Sequence, residues 1–289
     1  KPGKIDGDWP GELWALMLDT KNTFDSLVER YAATVEQAKG ILDNRLYRNI
    51  SGALSGTQEY MAMEKLYELY ESGDFDLIVV DTPPTRNALD FLDAPRRLTR
   101  FLDNRVFRLL MLPTRAYMKA VSVATQTFLR TISKVVGGEV VSDAVAFFHA
   151  FEGMEEGFRR RAAAVLKLLE SPGTAFVLVT SPRRDAVDEA TYFAERLRES
   201  HISVDALVVN RVHPRFGGDE VPVPEGAGVF GENLGNFRAA SAREEHHIAD
   251  LTRRVIGAEV VRVPFLAGDV HDLEGLRVIA GWLFGERAA

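Results

Sequence analysis

The chain alternates between short apolar runs and longer stretches in which apolar residues recur every three or four positions. The runs predict buried β-strands, because strands covered by helices are apolar throughout, and the stretches predict amphipathic helices. Strands that alternate with helices predict an α/β fold with a parallel sheet and right-handed crossovers. The predicted strands cover residues 13–18, 77–80, 175–180, 202–209 and 259–263.

The run at residues 77–80 is followed directly by Asp81 and Thr82 and then by two prolines. The prolines end the strand abruptly, since proline cannot donate to a β-ladder. An aspartate at the carboxyl end of such a strand lies where open α/β sheets bind ligands. The same aspartate could equally cap a turn, and other motifs must decide between the two interpretations.

Helical patterns fill most of the remaining chain. Asp19-Thr20 predicts the start of a helix, because both side chains can accept the free amide protons of a first turn. A long region from Arg86 to about Arg161 has helical periodicity and no strand pattern, which predicts a helical insertion between two strands. Its many Phe, Leu and Met side chains indicate helix-on-helix core packing. The alternative is an apolar groove that receives a partner helix.

Composition narrows the possible functions. The net charge of −7 and the pI near 5.5 give no global attraction to nucleic acid or to anionic lipid. The absence of cysteine excludes disulfides and thiolate metal sites. No run approaches the roughly 20 apolar residues of a membrane span, and no secretory signal is present. These features predict a cytoplasmic protein.

Four motifs follow one another along the chain: Asp81 to Thr85, Thr180-Ser181-Pro182 with Asp188-Glu189-Ala190, Val208 to Val212, and Val263 to Leu266. In this order they resemble the ArsA/Get3 family of deviant-Walker P-loop ATPases, and the resemblance extends over essentially the whole chain. It implies a parallel sheet of the P-loop NTPase type, with helices on both faces and a helical insertion after the Walker B strand. It also implies a nucleotide-binding domain formed by residues 1–96 and 162–289, with a helical subdomain at 97–161.

The resemblance assigns roles to the residues that match the family motifs. Asp81 corresponds to the acidic residue that holds Mg²⁺ through a water, a task that suits a hard oxygen ligand. Thr82, Pro84 and Thr85 fall in the switch II segment, which senses the γ-phosphate and relays its presence to the helical region. The cofactor-binding residues implied for ATP are Asn210, which reads the adenine edge, Arg211 beside it, and Pro264 and Phe265, which pack on the base.

The chain departs from the family at the phosphate-binding loop. Neither Gly137-Gly138 nor Gly217-Gly218 is followed by Lys-Ser or Lys-Thr, so no Walker A loop is recognised. We expect the printed residues to lack a native N-terminal βαβ unit that carries this loop, and to be inactive alone. The intact protein is then expected to be an ATPase that couples ATP binding and hydrolysis to movement of the helical region. The alternative is a degenerate, non-catalytic paralogue that acts as a protein-interaction module.

The resemblance also implies partners. We expect a homodimer or a heterodimer with a paralogue, and either a hydrophobic client helix or a membrane-protein partner at the helical region. No nucleic-acid partner is expected. The zinc clamp of the eukaryotic members and the metalloid site of the arsenite pumps both need cysteines, which this chain lacks.

Overall fold

A computed structural model describes most of the chain, namely residues 1–45, 47, 57–82, 85–104, 138–214, 216, 222 and 226–285. The chain divides into two compact units, Lys1–Leu169 and Glu170–Ala289. The first unit is mainly helical, and the second contains a parallel β-sheet.

The first unit opens with a short antiparallel pair of strands, β1 (Gly3–Ile5) and β2 (Leu13–Ala15), in which Lys4 faces Trp14. Six helices follow among the described residues. They are α1 (Thr20–Tyr31), α2 (Val35–Leu42), α3 (Thr57–Ser72), α4 (Thr85–Asp103), α5 (Gly138–Ala150) and α6 (Glu155–Leu169).

The first helix begins where the sequence predicts. Asp19 is the N-cap of α1, and its Oδ1 accepts the backbone N–H of Asn22 at 3.0 Å. Thr34 caps α2 in the same way, with its Oγ1 accepting from the backbone N–H of Gln37 at 3.1 Å. These bonds satisfy amide groups that have no partner inside the helix, which fixes both helix starts.

The core of the first unit is an aromatic and aliphatic cluster shared by its helices. The rings of Phe147 and Phe151 lie 4.8 Å apart between centroids, and those of Tyr31 and Phe158 lie 5.2 Å apart. Met154 and Phe158 are buried, so the core interpretation of this part of the helical region is confirmed. The apolar residues predicted between 106 and 129 lie outside the described residues.

The second unit is built on three parallel strands in the order β3 (Val177–Thr180), β4 (Ala206–Val212), β5 (Glu259–Pro264). This confirms the predicted α/β class with a parallel sheet. The connecting helices are α7 (Arg184–Glu199) and α8 (Gly228–Arg254), and α9 (Leu273–Phe284) ends the described chain. The core consists of Leu178, Val187, Ala190, Leu197, Leu207, Val209, Ile248, Leu251 and Val263.

Two of the five predicted strands do not join the parallel sheet. Residues 13–18 contribute only β2, which pairs antiparallel with β1 and not in the parallel sheet. Residues 77–80 form no strand, and the side chains of Leu77 and Val79 are 79% and 82% exposed. An apolar run meets only one condition for a buried strand. The other is a neighbouring strand that pairs with its backbone groups, and none pairs with this run within the described chain.

Among the described helices, none combines the length and the apolar character that crossing a bilayer requires.

Candidate functional site

The carboxyl ends of β4 and β5 lie side by side in the second unit. Val212 pairs with Pro264, and the backbone N–H of Phe265 donates to the carbonyl oxygen of Val212 at 2.8 Å. Ligands of open α/β sheets bind outside the carboxyl ends of the strands. This edge therefore brings together the predicted residues Asn210 and Arg211, near the end of β4, with Pro264 and Phe265, at the end of β5.

A bulge interrupts the pairing of β4 with β5 at this edge. Between the pairs Val209–Arg262 and Val212–Pro264, β4 has one more residue than β5, and Arg211 adopts a φ of 62°. A non-glycine residue in the left-handed region costs about 1–3 kcal/mol, and bulges of this kind redirect side chains next to functional sites. Asn210 is half-buried and Arg211 is exposed.

Aromatic side chains gather beside the bulge. The ring of Phe265 lies parallel to that of His213, with 6.0 Å between centroids and 5° between planes. The Phe237 ring lies 6.0 Å from His213 and 5.7 Å from Phe216. Phe216, Phe237 and Phe265 are 53%, 45% and 56% exposed, although phenylalanine is usually buried. Exposed aromatic faces at a ligand-binding edge are suited to stacking on a planar ligand.

Helix α8 is tied to both strands by consecutive glutamates. Glu244 accepts the backbone N–H of His213 at 2.8 Å and lies 2.6 Å from its ring Nδ1. Glu245 forms a bidentate pair with Arg262 of β5, at 2.9 and 3.1 Å. Bidentate pairs fix orientation as well as distance. Glu244 therefore joins α8 to the residue that follows β4, and Glu245 joins it to an exposed side chain of β5.

The remaining predicted site residues belong to the first unit. Asp81 and Thr82 are exposed at the end of the apolar run 77–80. Thr85 is the first residue of α4, and Pro84 lies outside the described residues. The predicted base-binding residues therefore lie at two neighbouring strand ends of the second unit. Asp81 and Thr82 are consecutive exposed residues of the first unit.

Asp81 and Thr82 fit the cation implied by the family resemblance. The Asp81 carboxylate and the Thr82 hydroxyl are hard oxygen donors, and Mg²⁺ is usually held by one or two protein ligands while it keeps several waters. In the described part of the chain, no three His, Asp or Glu side chains are close enough together to hold a metal without such waters or substrate oxygens.

The sequence predictions missed His213, Phe237 and Glu244. A signal for Glu244 was present, because it lies on one helical stripe with Ser241, Ile248 and Leu251, and these three residues are buried. A carboxylate on a buried stripe needs a partner. The identity of that partner, 31 residues away in the chain, could not be read from the pattern.

A second polar cluster lies within the first unit, between α3 and α6. Arg161 donates to Glu64 and Glu71, and its guanidinium carbon lies 4.2 Å from the ring centroid of Tyr67. Tyr60 donates its hydroxyl to Glu64 at 3.0 Å. Burial raises the pKa of Glu64 against the opposing bonds from Arg161 and Tyr60. Burial lowers the pKa of Arg161, but the bonds to Glu71 and Glu64 outweigh it and the net shift is upward. These charges compensate one another and join the two helices.

Comparison with known proteins gives one family and several distant relatives. The profile of the family described as anion-transporting ATPase matches residues 2–285. The ATPase GET3B of Arabidopsis thaliana is 27% identical over 168 residues, which are 57% of this chain and 36% of that protein. Two putative arsenical pump-driving ATPases of Aquifex aeolicus, numbered 1 and 2, are 22% and 20% identical, and the alignments cover 81% and 90% of this chain.

The chain spans only part of these curated relatives. It covers 52% of the length of the first Aquifex protein and 76% of the second.

Proposed function

The chain belongs to the anion-transporting ATPase family, and on that basis we propose that the full-length protein binds and hydrolyses ATP with magnesium. The observation that carries this proposal is that the end of β4, which contains Asn210, lies beside Pro264 and Phe265 at the end of β5, where Val212 pairs with Pro264 and accepts the N–H of Phe265. These are the residues that the family resemblance assigns to the nucleotide base. Proteins of open α/β architecture bind nucleotides at this kind of edge.

The base would be held by hydrogen bonding and stacking together. The half-buried amide of Asn210 can donate and accept at once, which matches the edge of adenine. The exposed ring of Phe265 offers a face to the base, and Pro264 fixes the backbone beside it. Arg211 is exposed at the bulge and carries a positive charge that favours an anionic ligand.

The chemistry of phosphoryl transfer would involve the segment from Asp81 to Thr85. Asp81 would hold the magnesium ion through a water, and Thr82, Pro84 and Thr85 would form the segment that responds to the γ-phosphate. A bound Mg²⁺ neutralises charge that develops on the phosphate oxygens. Because Thr85 starts α4, a movement of this segment would be passed directly to a helix.

The helical region would be the part that responds to nucleotide. We assign residues 97–161 to a helical subdomain, and residues 1–96 and 162–289 to the nucleotide-binding domain. In this proposal a dimer of the cytoplasmic protein uses the subdomain to hold an apolar client helix or to contact a membrane-protein partner. The names of two relatives refer to an arsenical pump, but this chain has no cysteine for a metalloid site.

A comparison of two aspartate variants in the full-length protein tests the hydrolysis step. Asp81→Asn removes the proposed magnesium ligand, and Asp76→Asn removes a neighbouring exposed carboxylate with no assigned role. We expect Asp81→Asn to lower the hydrolysis rate by about 100-fold or more, since the metal supplies several kcal/mol of charge stabilisation. Asp76→Asn should retain the rate of the unmodified protein. Equal rates in the two variants would rule out the assignment of Asp81.

A further inference from the structure

We propose that the Glu244–His213 pair is a positioning device that holds Phe265 in place for stacking on a purine base. This inference rests on the proposed function, because it concerns the nucleotide that the sheet edge would bind. It adds two residues that neither the family motifs nor the sequence pattern assign to the site. Three features of the described residues carry it: the fixed histidine, the fixed phenylalanine and the character of their surroundings.

The histidine is held by one carboxylate through two atoms. The backbone N–H of His213 donates to Oε2 of Glu244 at 2.8 Å, and the ring Nδ1 lies 2.6 Å from Oε1. A carboxylate can only accept, so the Nδ1 atom must carry the proton. The Glu244 side chain is 16% exposed and that of His213 is 35% exposed. This charge-assisted bond is partly buried, and it holds the ring in one orientation.

The phenylalanine is held at its backbone and at its ring. Its N–H donates to the carbonyl of Val212, the residue just before His213. Its ring lies parallel to the imidazole within 5°, and the Phe237 ring lies 6.0 Å from the imidazole, tilted by 40°. Glu244 therefore acts on Phe265 through His213. Since 56% of Phe265 remains exposed, an aromatic face is available to a ligand.

The surroundings offer flat aromatic faces to a base. Phe216 and Phe237 are exposed as well as Phe265, so three accessible rings lie at this end of the sheet. Arg238 donates to the backbone carbonyl of Phe216, which keeps it beside the aromatic rings. Base stacking on an aromatic ring needs only a fixed, accessible ring face. The cluster is therefore a site for the base of a purine nucleotide.

The test uses full-length protein and compares two ligands that differ in the base. Binding of Mg-ATP and of Mg-tripolyphosphate is measured by calorimetry for the unmodified protein and for Glu244→Ala, Glu244→Gln and His213→Phe. Glu245→Ala is the matched control, because it removes the adjacent glutamate, which pairs with Arg262 and does not touch His213. Thermal unfolding of each variant is measured as well, to establish that the variant is folded.

We expect Glu244→Ala to weaken Mg-ATP binding by about tenfold, because His213 loses both of its bonds to Glu244 and no longer fixes the Phe265 ring for stacking. Tripolyphosphate binding should stay within about twofold, since the pair is assigned no contact with phosphate. Glu244→Gln keeps an acceptor oxygen and should restore most of the affinity. His213→Phe keeps an aromatic ring but loses the hydrogen bond between the ring and Glu244. Its affinity for Mg-ATP should therefore resemble that of Glu244→Ala.

The possible results separate this inference from the proposed function. If the unmodified protein binds neither ligand, the proposed function fails and this inference fails with it. If it binds Mg-ATP and Glu244→Ala binds it equally well, only the positioning role is overturned. An equal loss of both ligands in folded Glu244→Ala, or the same loss of ATP in Glu245→Ala, also overturns it.

Discussion

Arg161 stabilises the first unit through charge in an almost dry environment. Its side chain is 7% exposed and its main partner, Glu64, is 2% exposed. A buried ion pair adds little compared with a well-packed apolar pair, but the loss of one partner leaves a charge with no compensation. A substitution that removes Arg161 and keeps Glu64 should therefore lower the free energy of unfolding strongly, because it leaves a buried carboxylate without a partner.

Arg161→Met tests this asymmetry, because it removes the cation and keeps a long side chain. We expect the free energy of unfolding to fall by about 3–5 kcal/mol at neutral pH. Arg159→Met is the control on the same helix, and its pair with the 58% exposed Asp103 should contribute about 1 kcal/mol or less. Urea unfolding measures both values, and equal losses would show that burial of the pair is unimportant.

The same variant should change how stability depends on pH. Without Arg161, the pKa of the Glu64 carboxyl rises further above its ordinary value of 4.5, because burial is no longer opposed by a positive partner. A carboxyl with a raised folded pKa contributes stability below its ordinary pKa, and this contribution is lost as pH rises through the folded pKa. Arg161→Met should therefore lose stability relative to the unmodified protein as the pH rises above the ordinary pKa of this carboxyl.

Helix α6 depends on close contact with α1 at Gly157. A Cβ atom placed on Gly157 would lie 2.6 Å from the ring of Tyr31, whereas one placed on Gly40 in α2 would have no atom within 4 Å. The ring of Tyr31 also packs against Phe158, so it cannot move away freely. The absence of a side chain at residue 157 therefore sets the distance between the two helices.

We expect alanine substitutions at these two glycines to change the free energy of unfolding in opposite directions. Gly157→Ala should lower the free energy of unfolding by about 1–3 kcal/mol, because overpacking forces neighbours from their places. Gly40→Ala should raise it by up to about 1 kcal/mol, since alanine is the better helix former at an open site. Chemical denaturation of the two variants measures the difference. Stabilisation by both substitutions would contradict the close contact.

The sequence pattern predicted the elements that are determined by residues close together in the chain. The cap at Asp19 and the start of α1 follow from one side chain and the backbone N–H three residues later, and the three strands of the parallel sheet have apolar runs with helices between them. The failure at residues 77–80 has the opposite cause, because a strand depends on a neighbour that composition does not reveal. The site residues also divide into those that local motifs identify and those that depend on contacts between distant parts of the chain. Motifs pointed to Asn210 and Phe265, but only folding brings Glu244 to His213.

At the scale of the whole molecule, the proposed activity requires magnesium as well as nucleotide. A protein that hydrolyses Mg-ATP should bind the nucleotide more tightly with the cation than without it. A non-catalytic paralogue that acts through its helices has no such requirement, so metal dependence distinguishes the two functions.

Ligand binding to the folded state makes this difference measurable as stability. If the full-length protein binds Mg-ATP, a ligand concentration about 100 times the dissociation constant should stabilise it by about 2.7 kcal/mol. Removal of magnesium with a chelator, or the Asp81→Asn substitution, should reduce this gain, while Asp76→Asn should leave it unchanged. Thermal or urea unfolding with and without each ligand provides the measurement. An unfolding curve that does not respond to Mg-ATP would favour the interaction module, because a ligand that does not bind cannot shift the folding equilibrium.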